Sequence, residues 1–535
     1  MISILMTTAK FTQGSTLSHI IYMSSTGAIG LTCLFLVDLL DLFYLSLLGE
    51  QHLAAAVGYA GTVAFFTTSI SIGLSIAMGA LVSKALGQGK RDSARSYVMN
   101  ISVVTIIVSL IIMVLTWFNI EALLSLLGAK GETLRLGTVY LQILVPSMPL
   151  MSVAMSLGAS LRAVGDGKLS MLSTIGGGLV NAILDPIFIF TLGMGIEGAA
   201  IASVLARCAV FTLSFYGVYS KHKLLGNWYI NSFKAQLPFI MAIALPAMLT
   251  NIATPIGNAF VTRSIAEFGD SFMAGYATIN RILPVAFGMI FALSGAIGPI
   301  LGQNYGAKLM PRVRESLKDA LWFCTGYVIV VSFILFLIED YLISGFNLTG
   351  DAVEVVTLFC RLLALTFIFN GMMFIANASF NNLGKPKYST WFNMGKATLG
   401  TIPFVLVGAE LAGVKGILIG QALGSVFFGI ASIILAFKLI KQKECKTDLD
   451  IEFGDKLVKV TEGAATYGAT IYGATGGVNE TATAANDVAS VAGIAMTSTV
   501  NALSSECSQF GMYNEEYDSK GSNLLLADND NKEKS

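Results

Sequence analysis

Twelve stretches of about 20 apolar residues recur along the chain, near 26–48, 53–83, 98–118, 138–161, 169–191, 197–219, 237–262, 273–301, 321–338, 358–380, 389–409 and 414–437. A run of that length spans the hydrocarbon of a bilayer as a helix. Only a helix satisfies every backbone amide within so long a segment. The rest of the composition agrees, because only 12% of the residues are charged, about half the share of a soluble domain. Too little polar surface is left to cover a water-soluble globule. The chain therefore reads as an all-α membrane protein with twelve transmembrane helices. The second and eighth runs are too long for a straight crossing and are expected to tilt, bend or project into water.

The loops test this count. Sixteen basic residues are assigned to the loops after runs 2, 4, 6, 8 and 10, Arg162, Arg207, Arg312 and Lys385 among them, and four to the alternate loops (Lys130, Arg135, Arg263 and Lys415). Basic residues stay cytoplasmic, which predicts that both termini are cytoplasmic. The division that follows is an N-terminal cytoplasmic segment (1–25), a first bundle (26–220), a cytoplasmic linker (221–236), a second bundle (237–440) and a tail (441–535). The tail, rich in Thr, Ala, Gly and Asn, reads as a disordered extension.

Other chemistries find little support. The 33 basic and 33 acidic residues balance, which excludes the basic excess of a nucleic-acid partner. Six cysteines and three histidines show no metal-ligand spacing. The P-loop pattern is absent. "GMGIEG" (193–198) fits G-x-G-x-x-G but lies in a short loop between two apolar helices, so it reads as a glycine turn rather than a dinucleotide site. No cofactor and no enzymatic constellation is expected.

The two halves of the chain resemble each other. "LGEQHLAAAVGYA" (48–60) lines up with "FGDSFMAGYATIN" (268–280), "LGQGKRDSAR" (86–95) with "LGQNYGAKLMPRVRES" (301–316), "SLRAVGDGKLS" (160–170) with "SFNNLGKPKYS" (379–389), and "GIEGAAIA" (195–202) with "GVKGILIG" (413–420). An offset covering six helices preserves orientation. The halves are therefore parallel repeats about a pseudo-two-fold along the membrane normal, an arrangement suited to alternating access.

Acids inside such spans are costly and point to function. Asp185 lies in run 5, with Asn181 one turn earlier on the same face. Pro186 follows, frees the carbonyl of Ala182 and predicts a bend beside the acid. Asp38 and Asp41 stand three apart in run 1. Neighbouring carboxyls at low dielectric share a proton or hold a cation. The second half has Asn258 and Val261 opposite these two and Phe404 near the place of Asp185; its own intramembrane charge is Lys396. Lys396 is read as a partner for a substrate anion or for a carboxylate, or as a side chain that snorkels to the interface, with Asn258 and Asn377 as further polar candidates.

The repeats together with "LRAVGDGKLSM", "NAILDPIFIF", "GIEGAAIAS" and "LGQGKRDSAR" resemble the multidrug and toxic compound extrusion (MATE) transporters over about 25–440. The resemblance implies export of small organic, often cationic and amphipathic compounds in exchange for H⁺ or Na⁺. It places the family's first-helix Asp on Asp41, its fifth-helix acid and partner on Asp185 and Asn181, and a supporting polar residue of the sixth helix on Ser203. Asp38 stands where many members carry Asn. Lys396, ahead of Pro403, stands in place of an Arg. Any Na⁺ would sit at Asp41 and Asp185. The expectation is thus a monomeric, multi-pass antiporter, not an enzyme. The alternative is a flippase for a lipid-linked or anionic substrate.

Overall fold

The computed structural model describes residues 9–46 and 51–474; from residue 448 onward, and at a few helical positions including Asp38, only the backbone is described. The contacts divide the chain into two units, Met1–Phe437 and Lys438–Ser535. No strand occurs among the described residues.

The first repeat comprises α1 (Thr16–Ser46), α2 (Gln51–Gly87), α3 (Arg91–Phe118), a short α4 (Ile120–Leu126), the broken crossing α5 (Gly131–Leu144) and α6 (Met148–Ala163), then α7 (Gly167–Pro186) and α8 (Gly195–Tyr216). The second comprises α9 (Ile230–Ala266), α10 (Asp270–Ala286), α11 (Gly288–Gly306), α12 (Met310–Leu337), short α13 (Glu339–Gly345) and α14 (Asp351–Arg361), then α15 (Phe367–Asn382), α16 (Lys387–Ala397) and α17 (Ile402–Ala474). The expected tail begins at 441, but α17 runs to Ala474; residues 475–535 lie outside those described.

Ten helical stretches are long and apolar enough to cross a membrane, and the bent pair α10–α11, with its 47° bend, adds an eleventh. The twelfth comes from α17, whose helical geometry fails at Ala412 and Gly413. Only glycine adopts the φ of +56° at Gly413 cheaply. A Cβ on Gly408 would strike Gly416, one on Gly420 would strike Phe404, and one on Gly424 would strike Gly400. Every pair is symmetric about residue 412, which is the pattern of an antiparallel hairpin. Small residues let the two backbones approach closely where lipid supplies no hydrophobic drive.

The bend expected in run 8 falls at Phe287, three residues after Pro284. Where a bend is expected after Asp185, α7 ends at Pro186 and passes into a π-helical turn at Ile187–Thr191, and the two together make one span. Run 2 instead forms one unbroken 37-residue helix. The glycine turn holds as well, with Gly193 and Gly195 at φ of +66° and +55°. One basic residue was misplaced: Arg207 is not a loop residue but sits midway along α8.

The repeats meet along a seam of α1 and α2 against α9 and α11. A Cβ on Gly27 would come 3.1 Å from Cβ of Ala292, and one on Gly73 would come 2.6 Å from the backbone N of Met248. A buried cluster crosses this seam, joining Leu74, Met78 and Ile101 to Ile240, Ala244 and Met248. The hydrogen bonds between the halves gather at one end, here called the basic end because the loop lysines and arginines lie there. In that region Asn100 Nδ2 donates to Gln236 Oε1 at 2.9 Å, and Gln303 Nε2 donates to Ala163 O at 2.7 Å.

Candidate functional site: a carboxyl pair in the first half

The helical spacing that puts Asn181 and Asp185 on one face also fixes their contact. Asn181 Nδ2 donates to Asp185 Oδ1 at 3.2 Å, and both side chains are buried, Asp185 completely. The π turn after Pro186 leaves α7 packed on α1, and Asp41 comes from that neighbour. Its carboxyl and that of Asp185 lie within hydrogen-bonding reach of each other. A hydrogen bond between two carboxyls requires that one of them carry a proton. Asp41 Oδ1 and Asp185 Oδ2 are buried with no hydrogen-bond donor among the described residues. Unsatisfied oxygens in low dielectric are costly, so the pair is poised to take up positive charge.

Tyr140 forms the next layer. It is buried on α5, its hydroxyl lies near Ser203 of α8, and Asp41, Asp185 and Arg207 are close enough to act on it electrostatically. Arg207 stands one turn beyond Ser203. Its Nη1 donates to Ser147 Oγ at 2.8 Å and to Leu144 O at 3.3 Å, at the break between α5 and α6. On its other side is a small pocket that also involves Thr67, Ser71, Met148, Met151 and Ser152. The acids and the arginine thus flank one tyrosine within the same repeat.

Of the residues expected from sequence, the structure brings together Asp41, Asp185 and Asn181, with Ser203 joined through Tyr140 and Pro186 shaping the turn. The side chain of Asp38 lies outside the described residues. The second-half candidates form a separate group: Lys396 Nζ donates to Asn370 Oδ1, and Asn393 Nδ2 donates to the buried Asn377 Oδ1 at 3.1 Å. Asn258 joins neither; it is exposed on α9, with its carbonyl accepting from Thr262 Oγ1 at 2.9 Å. Tyr140 and Arg207 were missed by sequence reasoning. A charge in the middle of an apolar run was the available signal for Arg207; Tyr140 offered none. Among the described residues no cluster of three or more His, Cys, Asp or Glu side chains suits a metal ion.

An all-helical bundle of two parallel repeats, with a carboxyl pair buried in one of them, defines a multi-pass membrane transporter. The MatE family model matches residues 28–187 and 246–407, one segment in each repeat, and the chain belongs to that family. It is 27% identical to the FAD transporter of Shewanella oneidensis over 431 residues, covering 79% of this chain and 95% of that one. It is 23% identical to the multidrug export protein MepA of Staphylococcus aureus over 435 residues, covering 80% and 95%. Among solved structures it resembles the Vibrio cholerae MATE transporter VcmN in its bent form (TM-score 0.75, 24% identity, 80% of this chain and 98% of that chain). A Pyrococcus furiosus transporter of the MOP superfamily, described as having a binding pocket of reverse polarity, gives a TM-score of 0.76 at 20% identity, over 82% and 98%.

Proposed function

We propose that the chain is a secondary antiporter that exports small organic compounds in exchange for protons, by alternating access between its two six-helix repeats. The observation that carries this reading is the Asp41–Asp185 pair: two carboxyls in mutual contact, each with a buried oxygen lacking a donor. In the cycle, the ionised pair attracts a cationic substrate while the cytoplasmic side is open. After the halves rock, a proton reaches the pair, with Asn181 and Tyr140 holding its geometry. Neutralisation removes the attraction and the substrate leaves. The proton is favoured over Na⁺ because Asn181 turns its amide nitrogen, a donor, toward Asp185, where a bound Na⁺ would call for an oxygen. The basic end is assigned to the cytoplasm from the loop charges, which makes the conformation described here closed inward. The test is substrate-induced pH change in everted vesicles with and without Na⁺. Exchange that needs Na⁺ and moves no proton would overturn the reading.

A second reading, transport of an organic anion, also has a specific observation behind it. Arg162, Arg207 and Lys396 sit within the helices, and none of them is paired with a carboxylate among the described residues; their partners are Ser170, Ser147 and Asn370. The likeness to an FAD transporter points the same way. The two readings differ in the sign of coupling. A cation competes with the proton for one negative charge, which gives exchange. An anion binds best once the pair is neutral, which couples anion and proton in the same direction. The direction of the pH change with FAD, against that with a lipophilic cation, separates them.

A further inference from the structure

We propose that the segment from Ala9 to Gly14 is a latch on the cytoplasmic gate, which must leave its slot before the basic end can open. The inference rests on the alternating-access reading. The sequence places Phe11 only in an N-terminal cytoplasmic segment, yet in the structure it is fully buried. Its ring lies edge-on to His19, with centroids 5.2 Å apart.

The backbone of Phe11 is held wholly by the second repeat. Its N–H donates to Gln303 Oε1 at 2.8 Å, and its carbonyl accepts from Asn304 Nδ2 at 3.1 Å and from Arg312 Nη2 at 3.2 Å. Arg312 Nη2 also donates to Gly14 O at 2.9 Å. The residue before it is held by the first repeat, where Lys10 Nζ donates to Gly165 O at 2.8 Å. Gln303 closes the loop between the halves, because its amide also donates to Ala163 O at 2.7 Å. One residue thus ties the latch, the α6 end and the α11 end to a single side chain.

The seam directly beneath the latch has no slack. A Cβ on Gly302 would collide with Ser83, one on Gly87 with the backbone of Gln303, and one on Gly306 with the backbone of Lys84. Separating α2 from α11 at this end pulls Gln303 away from Ala163, so the bonds to Phe11 and to Ala163 cannot both survive. A buried aromatic held by three hydrogen bonds across the moving boundary therefore weights the closed side of the equilibrium. Weakening it shifts the population toward opening.

The test uses the full chain, free of its native cysteines, carrying Ser83→Cys as a reporter. Ser83 is fully buried on α2 against Gly302. The rate of thiol labelling from the basic side is measured without substrate or ion gradient. Phe11→Ala is expected to raise it by about tenfold or more. Gln303→Ala raises it as well, and the double variant gives less than the product of the two, because one variant empties the slot that the Phe11 ring fills and the other releases the backbone N–H that seats the same residue. Lys10→Ala is the mild variant that leaves the plug in place, and it raises labelling by roughly twofold, the loss of one half-exposed hydrogen bond. Unchanged labelling in Phe11→Ala protein that stays monodisperse overturns the latch. Should Phe11→Ala not fold, unchanged labelling in both Gln303→Ala and Lys10→Ala overturns it equally. Failure of the antiporter reading is separable: faster labelling with no proton-substrate exchange in the parent keeps the latch and removes the antiport, and the reverse result removes the latch alone.

Discussion

The two repeats share a backbone plan and differ in what they bury. The first buries a carboxyl pair with Asn181, Tyr140 and Arg207 around it. The second buries amides and hydroxyls, Asn377, Asn381, Ser389 and Asn393, bonded to one another, with Lys396 on Asn370. The positions aligned with the first-half acids carry no acid: Val261 is fully buried and Phe404 is exposed on the hairpin. Duplication has kept the helices and the glycine turns, while the carboxyl pair belongs to one copy. A neutral hydrogen-bonded network keeps its shape at any pH, whereas a carboxyl pair changes charge. Under the proposed function, the second repeat is the rigid wall and the first the responsive one.

The largest expected effect breaks that contrast outright. Asp185→Asn or Asp41→Asn should reduce proton-coupled efflux in everted vesicles to background while the protein still inserts at parental levels, because neither variant can cycle its charge. Full efflux by both variants would show that the first repeat is no more responsive than the second. Asn377→Ala, the matched change in the second repeat, should cost stability instead: it breaks one buried bond from Asn393, worth roughly 1–3 kcal/mol, and leaves coupling intact.

Next in size is the test of charge. Replacing Arg207 by Met removes a cation on the far side of Tyr140 from the acid pair, and Lys396→Met removes one from the other repeat. If organic anions are carried, Arg207→Met weakens their binding by roughly 10- to 100-fold, the worth of a charged hydrogen bond, and spares cations. Equal loss for anions and cations would assign Arg207 to bracing the α5–α6 break instead. Asn181→Ala and Tyr140→Phe should be milder, each removing one bond from the pair's surroundings. The expected result is a several-fold slower efflux, with its pH dependence displaced from that of the parent. An unchanged pH profile in both would detach these residues from the carboxyls.

Much of this was legible beforehand, for definite reasons. Span length and the alternating loop charges gave the twelve helices. The spacing of Asn181 and Asp185 gave their contact, since four residues is one helical turn, and Pro186 marked where the α-helix gives way to a π turn. What failed was non-local. Nothing in the spacing of residues 41 and 185 says that α1 and α7 pack together; only the family resemblance linked them. Tyr140 looks like any other tyrosine until Ser203 comes beside it. Arg207 was misread by assigning a mid-helix charge to a loop. The N-terminal latch was invisible because its hydrogen bonds run to residues about 290 positions away.

The smallest expected effect tests an ionised network that ties the α6–α7 turn to the inter-repeat linker. Asp166 caps α7, accepting from the Leu169 N–H at 3.1 Å, and holds Lys221 at 2.7 Å and His222 at 2.8 Å at the start of the inter-repeat linker. Burial pushes its carboxyl up, but the bonds from Lys221, His222 and Leu169 outweigh burial and hold it below the ordinary aspartate value. A depressed folded-state value means that Asp166 stabilises the fold above its unfolded value and loses that contribution as pH falls through the folded one. Asp166→Ala should cost about 1 kcal/mol at neutral pH, the usual worth of a helix cap. The gap to the parent, read as a difference in melting temperature, should narrow in acid and stay constant at neutral and higher pH. A gap that stays constant in acid would mean that Asp166 acts as a hydrogen-bonding group whose charge is not needed, and the inter-repeat linker would then be held by the same kind of pH-independent contact as the interior of the second repeat.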